Sequence, residues 1–304
     1  MRKCFFAIAV LMALICTGAN AEGRLSIVCT DFPCYDFARQ AAGDRADVTM
    51  LLKPGVEAHS YEPTPSDIIS IGEADLFVYV GGESDAWADS ILSGFDGESA
   101  PATLRMMDCV TDLVEEEGEG HHHDHGDGPE YDEHIWTSPA NAAKMARAAG
   151  EKLMEIDPEN AGVYQDNANA YAGEIEAIGS EIKGIVEGAR RRTLVFADRF
   201  PFIYFVREYG LDYLAAFPSC TADTEPSAQI VMSLIQKVAG EHIPAVYTIE
   251  LSTQAIAKTV AEETGAEILT MQSMQTLAQA DFDAGASWVS IMKENVEALK
   301  KGLN

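Results

Sequence analysis

Residues 157–189 read DPENAGVYQDNANAYAGEIEAIGSEIKGIVEGA. Within them Tyr164, Ala168, Tyr171, Ile175, Ile178, Ile182 and Ile185 recur at spacings alternating four and three, which draws one apolar stripe along a single helix. Asp157 suits the cap and Pro158 the first helical position, so the pattern predicts a helix to about Ala189, about 45 Å long at roughly 1.5 Å per residue. A coiled-coil arm would carry the stripe further. Here a β-prone run begins where the stripe stops, so the rod is expected to join what lies on either side of it.

Both flanks alternate short β-prone runs with helical ones. Before the rod come Leu25 to Cys29, Val48 to Leu52 and Leu76 to Val80, with helices expected over Phe32 to Ala42 and Pro65 to Gly72. After it come Thr193 to Ala197, Leu211 to Ala215, Ala245 to Ile249 and Glu267 to Met271, separated by helical stretches such as Ser227 to Ala239 and Thr253 to Thr264. Strand and helix in alternation build parallel sheets covered by helices. The expected fold is therefore α/β: two lobes, each with a mainly parallel sheet flanked by helices, joined by a long backbone helix. The expected divisions are a signal peptide over 1–21, an N-terminal lobe over 22–156, a connecting helix over 157–190 and a C-terminal lobe over 191–304.

Arg2 and Lys3 precede an apolar run from Cys4 to Ile15, and Ala19-Asn20-Ala21 then supplies a small-x-small cleavage signal. The run is shorter than a membrane span and is broken by Thr17, Gly18 and Asn20. An exported protein cleaved near Glu22 is expected. Cys16 offers a lipid-anchored alternative, disfavoured by the bulk of Ile15. Cys29, Cys34, Cys109 and Cys220 would survive cleavage. In an oxidising compartment they allow three pairings, or they serve as small buried hydrophobes; no Cys-x-x-Cys spacing points to thiolate ligation.

The 304 residues carry 49 acidic against 21 basic side chains, a formal net charge of −28. Phosphate-rich partners would be repelled, which excludes nucleic acid and favours a cationic ligand. The segment 115–133 is almost free of apolar residues and holds His121, His122, His123 and His125 beside carboxylates. Four imidazoles in five positions bind divalent metal in many overlapping geometries, so this loop is expected to collect metal as an accessory. Outside it only His59, His134 and His242 remain. His59 and His134 each precede a helix signalled by Pro65 and by Ser138-Pro139, where a rigid scaffold can aim a side chain into a cleft. Ser66 is the expected cap of the first of these helices, and His242 reads as an ordinary surface residue.

Several motifs now coincide. They are His59-Ser60-Tyr61-Glu62-Pro63-Thr64-Pro65-Ser66-Asp67, the run Ala74-Asp75-Leu76-Phe77-Val78-Tyr79-Val80-Gly81-Gly82, His134-Ile135-Trp136 with Ser138-Pro139, the acidic histidine tract, and the tail from Gly285-Ala286-Ser287-Trp288 through Met292, Asn295 and Leu299. Over nearly the whole mature length the chain resembles the zinc/manganese class of ABC-transporter solute-binding proteins. The resemblance implies one metal between two lobes, with two ligands from each, and makes His59 and His134 the N-terminal pair. It further implies capture of Zn2+, or alternatively Mn2+, outside the cytoplasm, by a monomer, and delivery to an ABC importer permease at the membrane.

The C-terminal pair departs from that pattern. Ala197 stands where the family places His or Glu before an aromatic-rich helix, and the later acidic residue is missing around Thr270 to Ser273. Asp198 and Glu250 both follow β-prone runs, and ligands of open α/β sheets gather at the carboxyl ends of strands. The expected metal set is therefore His59, His134, Asp198 and Glu250. Two imidazoles with two carboxylates suit zinc and manganese alike, and the histidine tract favours zinc. A zinc hydrolase is the rival reading, but His-Glu-x-x-His and Gly-x-Ser-x-Gly are both absent and four protein ligands leave no open position, so no enzyme is expected. A surface adhesin with a structural metal is a third.

Overall fold

A computed structural model describes residues 23–95, 97, 100–115, 130–217 and 226–304. The signal region 1–21, Cys220 and the four clustered histidines lie outside the described residues. The N-terminal part is a four-stranded parallel sheet of β1 (Leu25–Cys29), β2 (Ala46–Met50), β3 (Leu76–Tyr79) and β4 (Ala102–Arg105), in the order β2-β1-β3-β4. The C-terminal part repeats the plan with β5 (Thr193–Phe196), β6 (Asp212–Ala215), β7 (Ala245–Thr248) and β8 (Glu267–Thr270), ordered β6-β5-β7-β8. Every strand pairing is parallel.

Parallel sheets need cover on both faces, and the period of two along each strand assigns the cover. Ile27 and Cys29 of β1, Leu194 and Phe196 of β5, and Ala245 and Tyr247 of β7 all point into one shared core. Val28 turns the other way into a small cluster with Leu51, Ile71 and Phe77. Val195 and Val246 turn outward to meet Leu234, Val238 and Val260. Helix α1 (Phe32–Ala42) lies on the shared inner side, whereas α2 (Pro65–Gly72) and α3 (Ala86–Leu92) lie toward the outer side of the first sheet.

The shared core is filled chiefly by α4 (Pro139–Ile156) and α5 (Ala161–Gly188). Helix α5 buries Tyr164, Ala168, Tyr171, Ala172, Ile175, Ile178, Ile182 and Val186, which is the stripe read from the sequence with Val186 taking the place of half-buried Ile185. At 28 residues it is about 42 Å long. It begins later than expected, because Pro158–Asn160 form a 3-10 turn and the Asp157 side chain accepts from Asn160 Nδ2 and Tyr164 Oη instead of capping the helix. Gly150 of α4 lets the two helices close up: a Cβ there would stand 2.5 Å from that of Ala168.

The C-terminal part carries α6 (Ile203–Tyr209), α7 (Ala228–Glu241), α8 (Ala255–Thr264) and α9 (Gln279–Asp283). The closing helix α10 (Trp288–Leu303) starts from a Ser287 cap that accepts from Ser290 N. Its first turn is held by Asp36 of α1, a fully buried carboxylate that accepts from Trp288 N at 2.8 Å, from Arg39 Nε at 2.9 Å and from the Tyr171 hydroxyl. One carboxylate thereby pins α1, α5 and α10 together. His242 ends α7 in the left-handed region with φ 52°, a helix-terminating role.

Two expectations about local chemistry change. The cap of α2 is Thr64, not Ser66, since Pro65 takes the first helical position; Thr64 and Asp67 form a reciprocal capping box. The expected disulfide is not seen among the described cysteines, as Cys29, Cys34 and Cys109 are all free. Cys29 and Cys34 sit in the dry core, where burial pushes both thiols well up and keeps them protonated, so they act as small hydrophobes. Among the described residues no helix is long and apolar enough to cross a membrane.

Candidate metal centre

In both sheets the strand order reverses between the first and third strands of the set, which opens a crevice at their carboxyl ends. The loops that leave those ends carry the polar residues of the molecule's middle. His59 lies in a 3-10 turn, Ala58–Ser60, between β2 and α2. His134 precedes the turn Ile135–Thr137, whose buried Trp136 anchors the segment by donating from Nε1 to Ser273 O at 2.7 Å across the two halves. Ser138 then caps α4 by accepting from Asn141 N, as the sequence predicts.

These two loops bring His59 and His134 together, with ring centroids 5.9 Å apart. Glu133 joins them, and one ligand atom from each of the three lies within 4.8 Å of the others. The ring of His134 is held by Asp132, whose Oδ1 accepts from His134 N at 2.9 Å and lies 3.1 Å from Nδ1. A carboxylate oxygen only accepts, so the proton belongs on Nδ1 and Nε2 keeps a lone pair. His59 is half-buried, and its Nε2 is shielded from solvent and has no hydrogen-bond partner among the described residues. Burial holds the His59 imidazole below its ordinary pKa, with His134 adding to the effect and Glu133 opposing it. A neutral, directed imidazole is the form a metal needs.

Asp198 and Glu250 stand at the carboxyl ends of β5 and β7, where the strand-end argument puts them. They line the same cleft as His59, a cavity of about 580 Å3 between the halves. Asp198 accepts from Arg199 N at 2.9 Å and from Ile249 N at 3.4 Å. Glu250 accepts from Ser273 N at 2.6 Å and from Ser273 Oγ, and burial raises its pKa while Ser273 and the nearby His134 pull it back down. Neither carboxylate belongs to the close group formed by His59, Glu133 and His134. The cleft is bridged by Arg199 to Glu57 at 3.0 Å and by Gly55 N to Thr276 Oγ1 at 3.1 Å.

Sequence reasoning passed over Glu133, Ser84 and Gln275. Glu133 directly precedes the motif that begins at His134, and its place between Asp132 and a histidine was the available signal. Ser84 and Gln275 carry no comparable signal, because each enters the site only through tertiary contacts, Ser84 to His59 and Glu133 and Gln275 to Glu133.

Behind Glu133 lie two more buried carboxyls. Burial first, then the neighbouring Asp85, pushes Asp31 up to about 8; burial and Glu133 push Asp85 up to about 7. Asp31 also caps α1 by accepting from Cys34 N. For a carboxyl raised in the folded state, the penalty is absent below about pH 4 and grows until the pH passes about 8, so stability falls across that window. Asp31→Asn keeps a good cap and removes the titration. Its urea-unfolding free energy is expected to exceed the parent's by at least about 1 kcal/mol at pH 8 and to vary less between pH 5 and 8. An unchanged pH profile would contradict the assignment.

Residues 27–302 match the family described as zinc-uptake complex component A, periplasmic. The zinc-binding lipoprotein AdcA of Streptococcus pneumoniae is 30% identical over 311 residues, covering 99% of this chain and 61% of that protein, so the chain spans rather less than two thirds of that relative. The high-affinity zinc uptake system protein ZnuA of Bacillus subtilis is 29% identical, with 98% of this chain and 96% of that protein covered. The crystal structure of the zinc(II)-bound ZnuA-like domain of S. pneumoniae AdcA superposes with a TM-score of 0.76 at 29% identity, covering 92% of this chain and 99% of that one. A match over this length, to a model and to a fold that share two helix-covered parallel sheets and a long helix, places the chain in the ZnuA family of zinc-uptake components.

Proposed function

We propose that this protein captures Zn2+ outside the cytoplasm and delivers it to an ABC-type importer permease. One observation carries the reading: two imidazoles from loops some seventy-five residues apart in sequence, His134 buried and His59 half-buried, converge with an acidic side chain beside them on a space that one cation would fill. His59 and His134 are the proposed imidazole ligands, and Asp198 and Glu250, facing the same cleft from the other half, the proposed carboxylates. The cation is cargo, held by protein groups alone and released whole. The proposed division of labour follows the fold, with 22–156 and 191–304 as the lobes and 157–190 as the connector. His121, His122, His123 and His125 are proposed to gather metal for the cleft. Relatives named for zinc binding and zinc uptake support zinc over manganese.

Crystals grown with zinc and measured on both sides of the zinc and manganese absorption edges test this directly. The expected result is one anomalous peak at the zinc edge within about 2.0–2.2 Å of an imidazole nitrogen of both His59 and His134. A peak elsewhere, with none between these two rings, sinks the proposal.

A further inference from the structure

Ser84, in the turn after β3, stands between His59 and Glu133. A hydroxyl has one proton to give and lone pairs with which to receive. Ser84 Oγ donates to Glu133 Oε1 at 2.5 Å. Glu133 is itself fixed by Ser84 N, which donates to Oε2 at 2.9 Å, and by Gln275 Nε2, which donates to Oε1 at 2.8 Å from across the cleft. A carboxylate accepting three donors has no proton to return, so the hydroxyl is left as an acceptor toward His59 Nδ1, 2.8 Å away. The imidazole proton then sits on Nδ1. Nε2, buried and without a hydrogen-bond partner among the described residues, keeps its lone pair for a cation.

We propose that Ser84 is a positioning residue for metal capture: backed by Glu133, it fixes the tautomer and direction of the His59 ring, and Glu133 ends this relay instead of serving as a ligand. The proposal rests on the zinc-capture reading and deepens it. Asp132 does the same for His134 in one step. Glu133 cannot do so for His59 directly, because its Oε1 is 3.6 Å from Nδ1, beyond a hydrogen bond, and the hydroxyl fills the gap. Both oxygens of Glu133 are already engaged by protein donors, which leaves it poorly placed to give up an oxygen to a metal. Partners that orient a ligating histidine are commonly worth about 10–100-fold in metal affinity.

The test uses the full mature chain without residues 121–125, so that the histidine tract does not mask the cleft. Zinc affinity is measured by competition with a chromophoric chelator for the parent, Ser84→Ala and Ser84→Thr. The His59 tautomer is read, without metal, from two-bond 1H–15N correlations at pH 8. Expected are an Nδ1–H tautomer in the parent, a loss of about 10–100-fold in affinity for Ser84→Ala with an Nε2–H population appearing, and recovery to within about threefold in Ser84→Thr. An Nε2–H tautomer in the parent overturns the relay whether or not Ser84→Ala folds. So does parent-like affinity in Ser84→Ala, or an equal loss in Ser84→Thr. A parent with the Nδ1–H tautomer that binds no zinc refutes the capture reading itself, and this proposal falls with it.

Discussion

Replacing His59 and His134 together by alanine, in a chain that also lacks residues 121–125, is expected to abolish stoichiometric zinc binding. Four-ligand zinc sites can supply roughly 10–16 kcal/mol, and two imidazoles provide on the order of half of it, more than a thousandfold in affinity. The fold should survive. Both rings sit in loops at the crevice and not in the core that joins the sheets, so the far-ultraviolet circular dichroism of the variant should match that of the parent. Isothermal titration is the direct measurement. Retention of one zinc per chain by the double variant would show that the imidazole pair does not hold the cargo. The histidine tract must be absent for this comparison, because its four clustered rings could bind metal on their own.

The second large effect is expected far from the cleft. Asp36→Ala removes the acceptor shared by Arg39, Tyr171 and the backbone of Trp288, all within or against the shared core. Breaking one side of a buried, hydrogen-bonded ion pair costs about 3–5 kcal/mol, since the groups left behind are desolvated and unsatisfied. Asp36→Asn keeps the shape and one acceptor, and its cost should be smaller, about 1–3 kcal/mol. Urea titrations of the two variants give both numbers. A loss under about 1 kcal/mol for Asp36→Ala would mean that these donors find water or other partners in the folded protein and that the carboxylate does not pin the three helices.

How far the sequence foretold this structure depended on how local each signal was. Helix α1 was legible to the residue, because Asp31 caps it, Pro33 opens it and its apolar residues keep the helical period. Strand β2 was expected two residues too late: Leu51 and Leu52 are apolar and buried, but they belong to the loop beyond Met50. Strand β4 passed unnoticed because Ala102–Arg105 is an edge strand, at best half-buried, with no apolar run. At the site the same rule holds. His59 and His134, which the structure brings together, stood out as histidines before helix signals, and Asp198 and Glu250, which line the cleft and are proposed ligands, as carboxylates after strands. Ser84 and Gln275 became visible only in three dimensions, since Ser84 meets His59 and Glu133 from 25 and 49 positions away and Gln275 meets Glu133 from 142.

The tryptophans give the shared interior a further consequence. Trp288 Nε1 donates to Trp136 O, Trp136 Nε1 donates to Ser273 O, and Ser273 in turn holds Glu250. The final helix, the loop bearing one imidazole and the far wall of the crevice are thus stitched into a single interior through indole nitrogens. Neither half could be produced by itself without baring an oily flank, so a gene fragment encoding either sheet alone should yield aggregate, and melting should be one concerted event for both.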